Sequence, residues 1–407
     1  MAALPDINTI LSKLEKISPR EEQAQHYGGQ EIHYFVNEFW TSRQRQSSSI
    51  HEISYRACFK PQLPRFFIEL LSGAGDLIYD PFAGRGTTII EAALMGRRII
   101  ANDINPLSKI LSEPRLRIPS LQDVSLRLKN ISNKNNITND FDLSMFYHPK
   151  TEEEILSLRY YLHEKNKLDK EDEIDRWIRM VATNRLTGHS KGFFSVYTMP
   201  PNQAVSIAQQ KKINLRLNQI PEYRNVNEII LKKTIQLLRT LKEEDIAALR
   251  KASRSALFLE EDASKTDDIV SASVNLTVTS PPFLNIVQYS KDNWLRCWFN
   301  HIDPAALVQN MTMAATLDEW SKKMESVFEE LFRITKDQGW VAFEVGEVRG
   351  GKIKLEETII PLGINRGFTC AGVIINRQQF TKTSNIWGIK NNRAGTNSNR
   401  IVLFQKK

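Results

Sequence analysis

The stretch Leu77–Asp103 constrains the fold of this chain more than any other. Leu77-Ile78-Tyr79-Asp80 reads as a short buried strand, Pro81-Phe82-Ala83-Gly84-Arg85-Gly86 as a turn, and Thr87–Met95 as a helix. Thr88 and Glu91 have the spacing of a capping box, and Gly96 is a natural helix stop. Arg97–Asp103 then reads as a second strand ending in an acid. Strand, Gly-x-Gly loop, helix, strand and acid together make a nucleotide-binding βαβ unit. The glycines let a ligand approach the backbone, and the acid meets ribose hydroxyls. The unit predicts an α/β protein built on a largely parallel sheet.

Two departures from the dinucleotide pattern narrow the ligand. The third glycine of G-x-G-x-x-G is replaced by Ile89, and an acid, Asp80, closes the first strand. A carboxylate there repels a pyrophosphate and attracts an ammonium. An adenosine carrying an α-amino group and no phosphate fits better, which points to S-adenosyl-L-methionine. A second motif lies far along the chain, where the apolar run Val274–Thr279 delivers Ser280-Pro281-Pro282-Phe283. Paired prolines stiffen the turn and give up their N–H groups. A hydroxyl, rigid outward carbonyls and an aromatic face within one turn suit a flat heterocycle held by its exocyclic amine. Ser280 and the Pro281 carbonyl can accept from the amine, and Phe283 can stack on the ring. Taken alone, the tetrapeptide is equally readable as a proline turn after a buried strand.

Together, Asp80–Thr88 and Thr279–Phe283 resemble the amino-methylating DNA methyltransferases, and the Ser-Pro-Pro-aromatic form resembles their N4-cytosine branch. The resemblance runs from about residue 50 to the C-terminus and is interrupted by a long insert. It implies a Rossmann-like S-adenosylmethionine-dependent methyltransferase sheet with a mainly helical insert. It implies transfer of a methyl group to the N4 amine of a flipped cytosine in double-stranded DNA, in a restriction-modification setting with a cognate endonuclease acting separately. Carried over residue by residue, Asp80, Phe82, Ala83, Gly84, Gly86, Thr87, Asp103 and Ile104 hold the cofactor, with Asp262 near its adenine amine. Ser280, Pro281, Pro282 and Phe283 hold the base. N6-adenine methylation of DNA, N2-guanosine methylation of tRNA and a non-catalytic nucleic-acid-binding module are the rival readings. Methylation at carbon 5 of cytosine needs a thiolate, usually after proline, and none of Cys58, Cys297 and Cys370 follows proline.

The formal charge of +8 is unevenly spread. Residues 183–224 carry a net +5 and residues 376–407 a net +7 with no acid, so the remainder sums to −4. Concentrated basic charge suggests a polyanion track. From the C-terminal loop, Lys382, Lys390 and Arg393 are the expected phosphate contacts. No stretch approaches the roughly eighteen apolar residues of a membrane span. Three scattered cysteines form no metal-ligand cluster and suit a reducing cytoplasm.

The expected organisation is a helical N-terminal extension over 1–50, a methyltransferase domain over 51–114 and 251–407, and a mainly helical insert over 115–250 as candidate target-recognition region. Helices are expected at 152–164, 173–183 and 226–250, with Thr187–Gln203 between them as loop or short strand. Its interleaved aromatic, amide and basic side chains suit base edges and phosphates, or equally an internal connector. The α/β rhythm resumes at Ala256–Leu259, and Thr369–Asn376 with Arg400–Phe404 should form an antiparallel edge hairpin.

Overall fold

The computed structural model describes residues 4–18, 25–27, 29–40, 47–55, 58–132, 134, 137–139, 141–198, 204–282, 292–303, 314, 316–348, 353–377 and 398–407. Helix α1 (Ile7–Ile17) starts at Asp6, whose carboxylate accepts from the Asn8 and Thr9 N–H groups. Strands β1 (Gln25–Tyr27) and β2 (Gln30–Ile32) form a small antiparallel pair, followed by β3 (Tyr34–Asn37). The βαβ unit follows as α2 (Gln62–Leu71), β4 (Leu77–Asp80), α3 (Thr87–Leu94) and β5 (Arg98–Asn102). Seven helices then occupy the crossover from β5 to the next strand: α4 (Leu107–Ser112), α5 (Leu121–Asn130), α6 (Pro149–Lys167), α7 (Glu173–Arg185), α8 (Ile207–Leu217), α9 (Val226–Leu238) and α10 (Glu243–Ser253). The remaining elements are β6 (Leu257–Leu259), β7 (Val274–Thr279), α11 (Trp294–Phe299), α12 (Leu317–Ile334), β8 (Thr335–Val345), β9 (Glu347–Val348), β10 (Ile353–Lys354), α13 (Glu356–Asn365), β11 (Phe368–Arg377) and β12 (Ser398–Lys406).

Among the described residues these build an eight-stranded sheet in the order β3-β11-β12-β8-β7-β4-β5-β6. The five strands from β8 to β6 are parallel, and β12 runs antiparallel to both β8 and β11. This is a Rossmann-like α/β sheet containing the expected antiparallel hairpin, which stands one strand in from the edge it was expected to form because β3 pairs outside β11. Every residue of β4 and β7 is buried, because parallel central strands are covered on both faces. Alternate residues feed two cores. Ile78, Leu276 and Val278 face one side, while Leu77, Tyr79 and Phe343 face the other. From β4 the chain proceeds outward through β5 to β6, then returns to place β7 on the opposite side of β4. The carboxyl ends of β4 and β7 therefore flank the topological switch point, where open α/β sheets bind ligands.

The N-terminal 1–50 segment departs from its helical expectation. Among the described residues there, only α1 is helical apart from a short turn at Ser49–His51, and β3 joins the sheet edge parallel to β11, with Phe35 opposite Ile374. Four residues carry too short a pattern to read as a strand, and the pairing partner lies at the other end of the chain. The expected helix over 226–250 breaks at Arg239–Lys242. A fresh N-terminus forms there when the Asp245 carboxylate accepts from the Lys242 N–H at 3.0 Å. Helix α8 was not foreseen. Its cap is Ser206, whose hydroxyl accepts from the Gln209 N–H at 3.3 Å.

The insert does not build a core of its own. Trp177, Ile178 and Val181 of α7 share one continuous buried cluster with Phe67, Ile89 and Ala93 beside the sheet. Helix α10 packs against α3 and leads directly into β6, so the boundary expected at residue 250 falls inside a helix that covers the sheet.

Candidate functional site

The glycine loop is held by its own strand ends. Gly84 and Gly86 have φ of 53° and 73°, a left-handed backbone that penalises any side chain. A Cβ at Gly86 would also lie 2.5 Å from the Ser112 Cβ. The Gly84 N–H donates to Asp103 at 2.8 Å, the Asn105 N–H donates to its other oxygen at 2.9 Å, and the Ala83 N–H donates to the Asn102 carbonyl at 3.0 Å. The loop is thereby folded onto the end of β5, with Phe82 and Ile104 half-buried and Ala83 and Thr87 buried around it. Each carboxylate oxygen of Asp103 accepts one backbone N–H, and the second lone pair of each stays available to a diol.

Asp80 is 1% exposed. It accepts from the Phe82 N–H at 3.1 Å and from the Thr279 hydroxyl at 2.6 Å. Burial pushes its carboxyl up to about 6 in spite of these bonds, and burial does the same to Asp103, also to about 6. Asp103 keeps an opening to solvent, so the upward push is more secure at Asp80. No cation among the described residues forms an ion pair with either acid. Two underneutralised carboxylates on adjacent strand ends suit a ligand with a positive end and hydroxyls.

The capping box expected at Thr88 and Glu91 is absent. Gly86 occupies the N-cap position with no side-chain cap. Thr88 instead donates to the Val278 carbonyl at 3.1 Å, and Glu91 meets His51 at 2.7 Å and Arg65 at 3.2 Å. Both side chains are buried and serve tertiary contacts, which outweigh the local cap. Arg85 reaches back to the Ile53 carbonyl at 2.8 Å and the Phe59 carbonyl at 3.4 Å, while Arg115 donates to the Arg85 carbonyl. Tyr55 accepts from Asn105 at 3.3 Å, and its ring lies beside Gly84. The chain preceding α2 is thus clamped over the glycine loop.

Asp262, three residues beyond β6, shares its oxygens between Lys323 at 2.5 Å and the Ser264 hydroxyl at 2.8 Å. Burial would raise its pKa, but these partners hold it below the usual carboxylate range. Asn102 joins this edge to the loop, donating to the Pro81 and Glu261 carbonyls at 3.3 and 3.0 Å.

At the end of β7, Ser280 is half-buried, Pro281 buried and Pro282 exposed. The Pro282 carbonyl accepts the Trp320 indole N–H at 3.0 Å, so one of the carbonyls expected to face outward is occupied. Phe283 lies outside the described residues. Sequence reasoning missed Glu344, an acid inside the apolar strand β8. Its carboxylate accepts from Asn399 of β12 at 2.8 Å and stands near enough to the Ser280 hydroxyl for Ser280 to lower its pKa, while burial, the larger influence, pushes that pKa up. The signal was a lone acid in Trp340-Val341-Ala342-Phe343-Glu344-Val345, a run that otherwise reads as fully buried. A Ser280 hydroxyl that turns its proton toward Glu344 presents oxygen lone pairs outward. The ledge formed with Pro281 can accept from an amine.

Residues 6–111 match the family model for N6/N4 methyltransferases, described as DNA methylase. The chain is similar to the Type II methyltransferase M.MjaII of Methanocaldococcus jannaschii, 33% identical over 94 residues, covering 23% of this chain and 18% of that protein. It is also 23% identical over 329 residues to the Type II methyltransferase M.BsoBI of Geobacillus stearothermophilus, covering 74% of this chain and 64% of that one. The family match takes in the glycine loop and the acid that follows β5. The chain spans less than two thirds of the length of either relative. Among solved structures, a SAM-dependent methyltransferase from Methanosarcina mazei aligns over 82% of this chain and 93% of that one, at 10% identity and a TM-score of 0.32. At that score the alignment adds nothing to the strand order described above.

The basic segments divide. In Thr187–Gln203, Phe193 and Phe194 are buried and the Arg185 guanidinium lies 3.9 Å from the Phe193 ring centre. Those aromatics therefore pack inside, leaving an exposed tip at His189–Gly192. Met199–Gln203 and residues 378–397, with Lys382, Lys390 and Arg393, lie outside the described residues. Among the described residues no helix is long and apolar enough to cross a membrane.

Proposed function

We propose that the chain is an S-adenosyl-L-methionine-dependent DNA methyltransferase acting on the exocyclic N4 amine of a flipped cytosine in duplex DNA. The observation that carries this reading is the Thr279–Asp80 hydrogen bond of 2.6 Å. It fastens the Ser280-Pro281-Pro282 ledge beside the buried acid of the glycine loop, so the two motifs form one site. The likeness to Type II methyltransferases supports a restriction-modification setting with any endonuclease acting separately, and the scattered cysteines suit a reaction in the cytoplasm.

S-adenosyl-L-methionine supplies an electrophilic methyl group on a sulfonium. Asp80, Phe82, Ala83, Gly84, Gly86 and Thr87 would hold its amino-acid end, with Asp80 opposite the positive charge. Asp103 would take the ribose hydroxyls, with Ile104 and Asp262 toward the adenine. On the base side, Ser280 and the Pro281 carbonyl accept the two amine hydrogens. That orients the nitrogen lone pair, which is otherwise delocalised into the ring, and positioning supplies much of the acceleration. Pro282 stiffens the ledge and Phe283 stacks on the ring. The methyl group's bond to sulfur would break as its bond to nitrogen forms, leaving a neutral thioether, and Ser280 would take the surplus amine proton while releasing its own to Glu344. A raised pKa makes Glu344 a better acceptor for that proton. Extruding the base costs a few kcal/mol, offset by stacking and by cationic contacts to the backbone.

Mass spectrometry of digested DNA from an expressing host tests this reading. N4-methylcytosine is the expected product. N6-methyladenine would move the target to adenine while keeping the same ledge. Unmodified DNA from a cofactor-binding protein, offered both genomic and synthetic duplexes, would overturn the activity.

A further inference from the structure

Helix α8 is fixed from the inside by amides. Gln210 donates to the Tyr197 carbonyl at 3.0 Å and to Asn214 at 2.8 Å, Gln219 donates to the same carbonyl at 2.9 Å, and Asn214 donates to the Met145 carbonyl at 2.8 Å. Ile213 is buried beside them. Its start is tied to the chain that follows the Ser280 motif: the Ala204 N–H donates to the Asp292 carbonyl at 3.0 Å, and the Trp294 indole donates to the Val205 carbonyl at 3.1 Å. A helix held this firmly keeps its outer face in a set direction.

That outer face is basic and apolar at once. Helical spacing puts Lys212, Leu215 and Arg216 on the side away from Gln210 and Ile213, and all three are exposed. Residues 204–221 contain three cations and no acid. Lys211 reaches Asp142 at 3.5 Å, while Lys212 and Arg216 make no ion pair among the described residues. Leu215 is 83% exposed, as is Ile220 just past the helix, the highest values for large apolar side chains among the described residues. A lipid surface calls for a continuous apolar stripe. Here two cations one helical turn apart share a face with a single leucine beside them, an arrangement that suits neighbouring phosphates of a backbone with the adjoining sugars alongside.

We propose that the outer face of α8 docks on duplex DNA beside the flipped base, with Lys212 and Arg216 on phosphates and Leu215 against the adjoining sugars. This rests on the DNA reading above.

The test uses the full chain and a fluorescent duplex of a sequence that the wild type methylates, or of random sequence if none is known, titrated across a salt series. Lys212→Ala with Arg216→Ala should lower the slope of log affinity against log salt by about two units, near one per lost phosphate contact. Lys212→Gln with Arg216→Gln should do the same. Leu215→Ala should weaken binding and leave the slope unchanged. Cofactor affinity and thermal midpoint should match wild type in all of these variants. Wild-type binding with a slope that both paired variants share would overturn the docking face while leaving the DNA reading standing. Wild type that binds no duplex but binds anionic phosphatidylserine vesicles or single-stranded RNA would overturn both.

Discussion

The Thr279 hydroxyl donates a 2.6 Å hydrogen bond to the Asp80 carboxylate, joining two strand ends 199 residues apart in sequence. It is one of few partners for a buried acid, so its loss leaves that acid undersatisfied. Thr279→Val keeps the shape and removes the donor. Urea unfolding at neutral pH should show a loss of about 1–3 kcal/mol. In an Asp80→Asn background the same substitution should cost clearly less, because the buried charge is gone; equal costs in both backgrounds would refute the coupling.

The raised pKa values of Asp80 and Asp103 set a pH dependence. Each moves from 3.8 to about 6 on folding, so the folded chain binds protons more tightly than the unfolded one. Their stabilising contribution is full below about pH 4 and is lost as pH rises through about 6. Subtracting the Asp80→Asn stability curve from that of wild type, both without ligand, should isolate a decline across this window. Affinity for S-adenosyl-L-methionine should rise over the same window as the carboxylates ionise, and Asp80→Asn should flatten that rise. A cofactor affinity indifferent to pH between these limits would count against Asp80 facing the positive end.

The roles proposed for Ser280 and Glu344, accepting from the amine and removing its proton, can be separated. Ser280→Ala should slow methyl transfer by about tenfold to a thousandfold with cofactor affinity nearly unchanged, as for an interaction realised in the transition state. Glu344→Gln preserves the contact to Ser280 but cannot take a proton. Its rate should fall by about a hundredfold, and the acidic limb of the pH–rate profile should disappear. Retention of that limb would assign the proton to another group.

Asp103 supports the loop, since it accepts from Gly84 and Asn105, and it is also the acid proposed to take the ribose hydroxyls. Asp103→Asn keeps one acceptor and swaps the other for a donor. Calorimetry should show cofactor affinity weaker by about 1–3 kcal/mol, with a smaller change in thermal midpoint. An unchanged affinity in a folded variant would remove Asp103 from the ribose site.

The βαβ unit, the Ser280-Pro281-Pro282 turn and the C-terminal hairpin were legible because each is written in contiguous residues. Glycine supplies a left-handed φ, proline stiffens a turn, and continuous apolar runs mark strands buried on both faces. Sequence alone therefore determined the α/β class and marked the two motifs from which the proposed site is built. It did not reveal β3, whose four residues acquire meaning only against β11, or the break between α9 and α10, or the outward face of α8. It assigned Thr88 and Glu91 to a local cap, whereas burial turned them toward Val278, His51 and Arg65. The alliance of Ser280, Glu344 and Asn399 belongs wholly to the tertiary structure. Three neighbouring strands bring those side chains together, and a buried carboxylate must find its donors wherever the fold supplies them, at a distance that local patterning does not record.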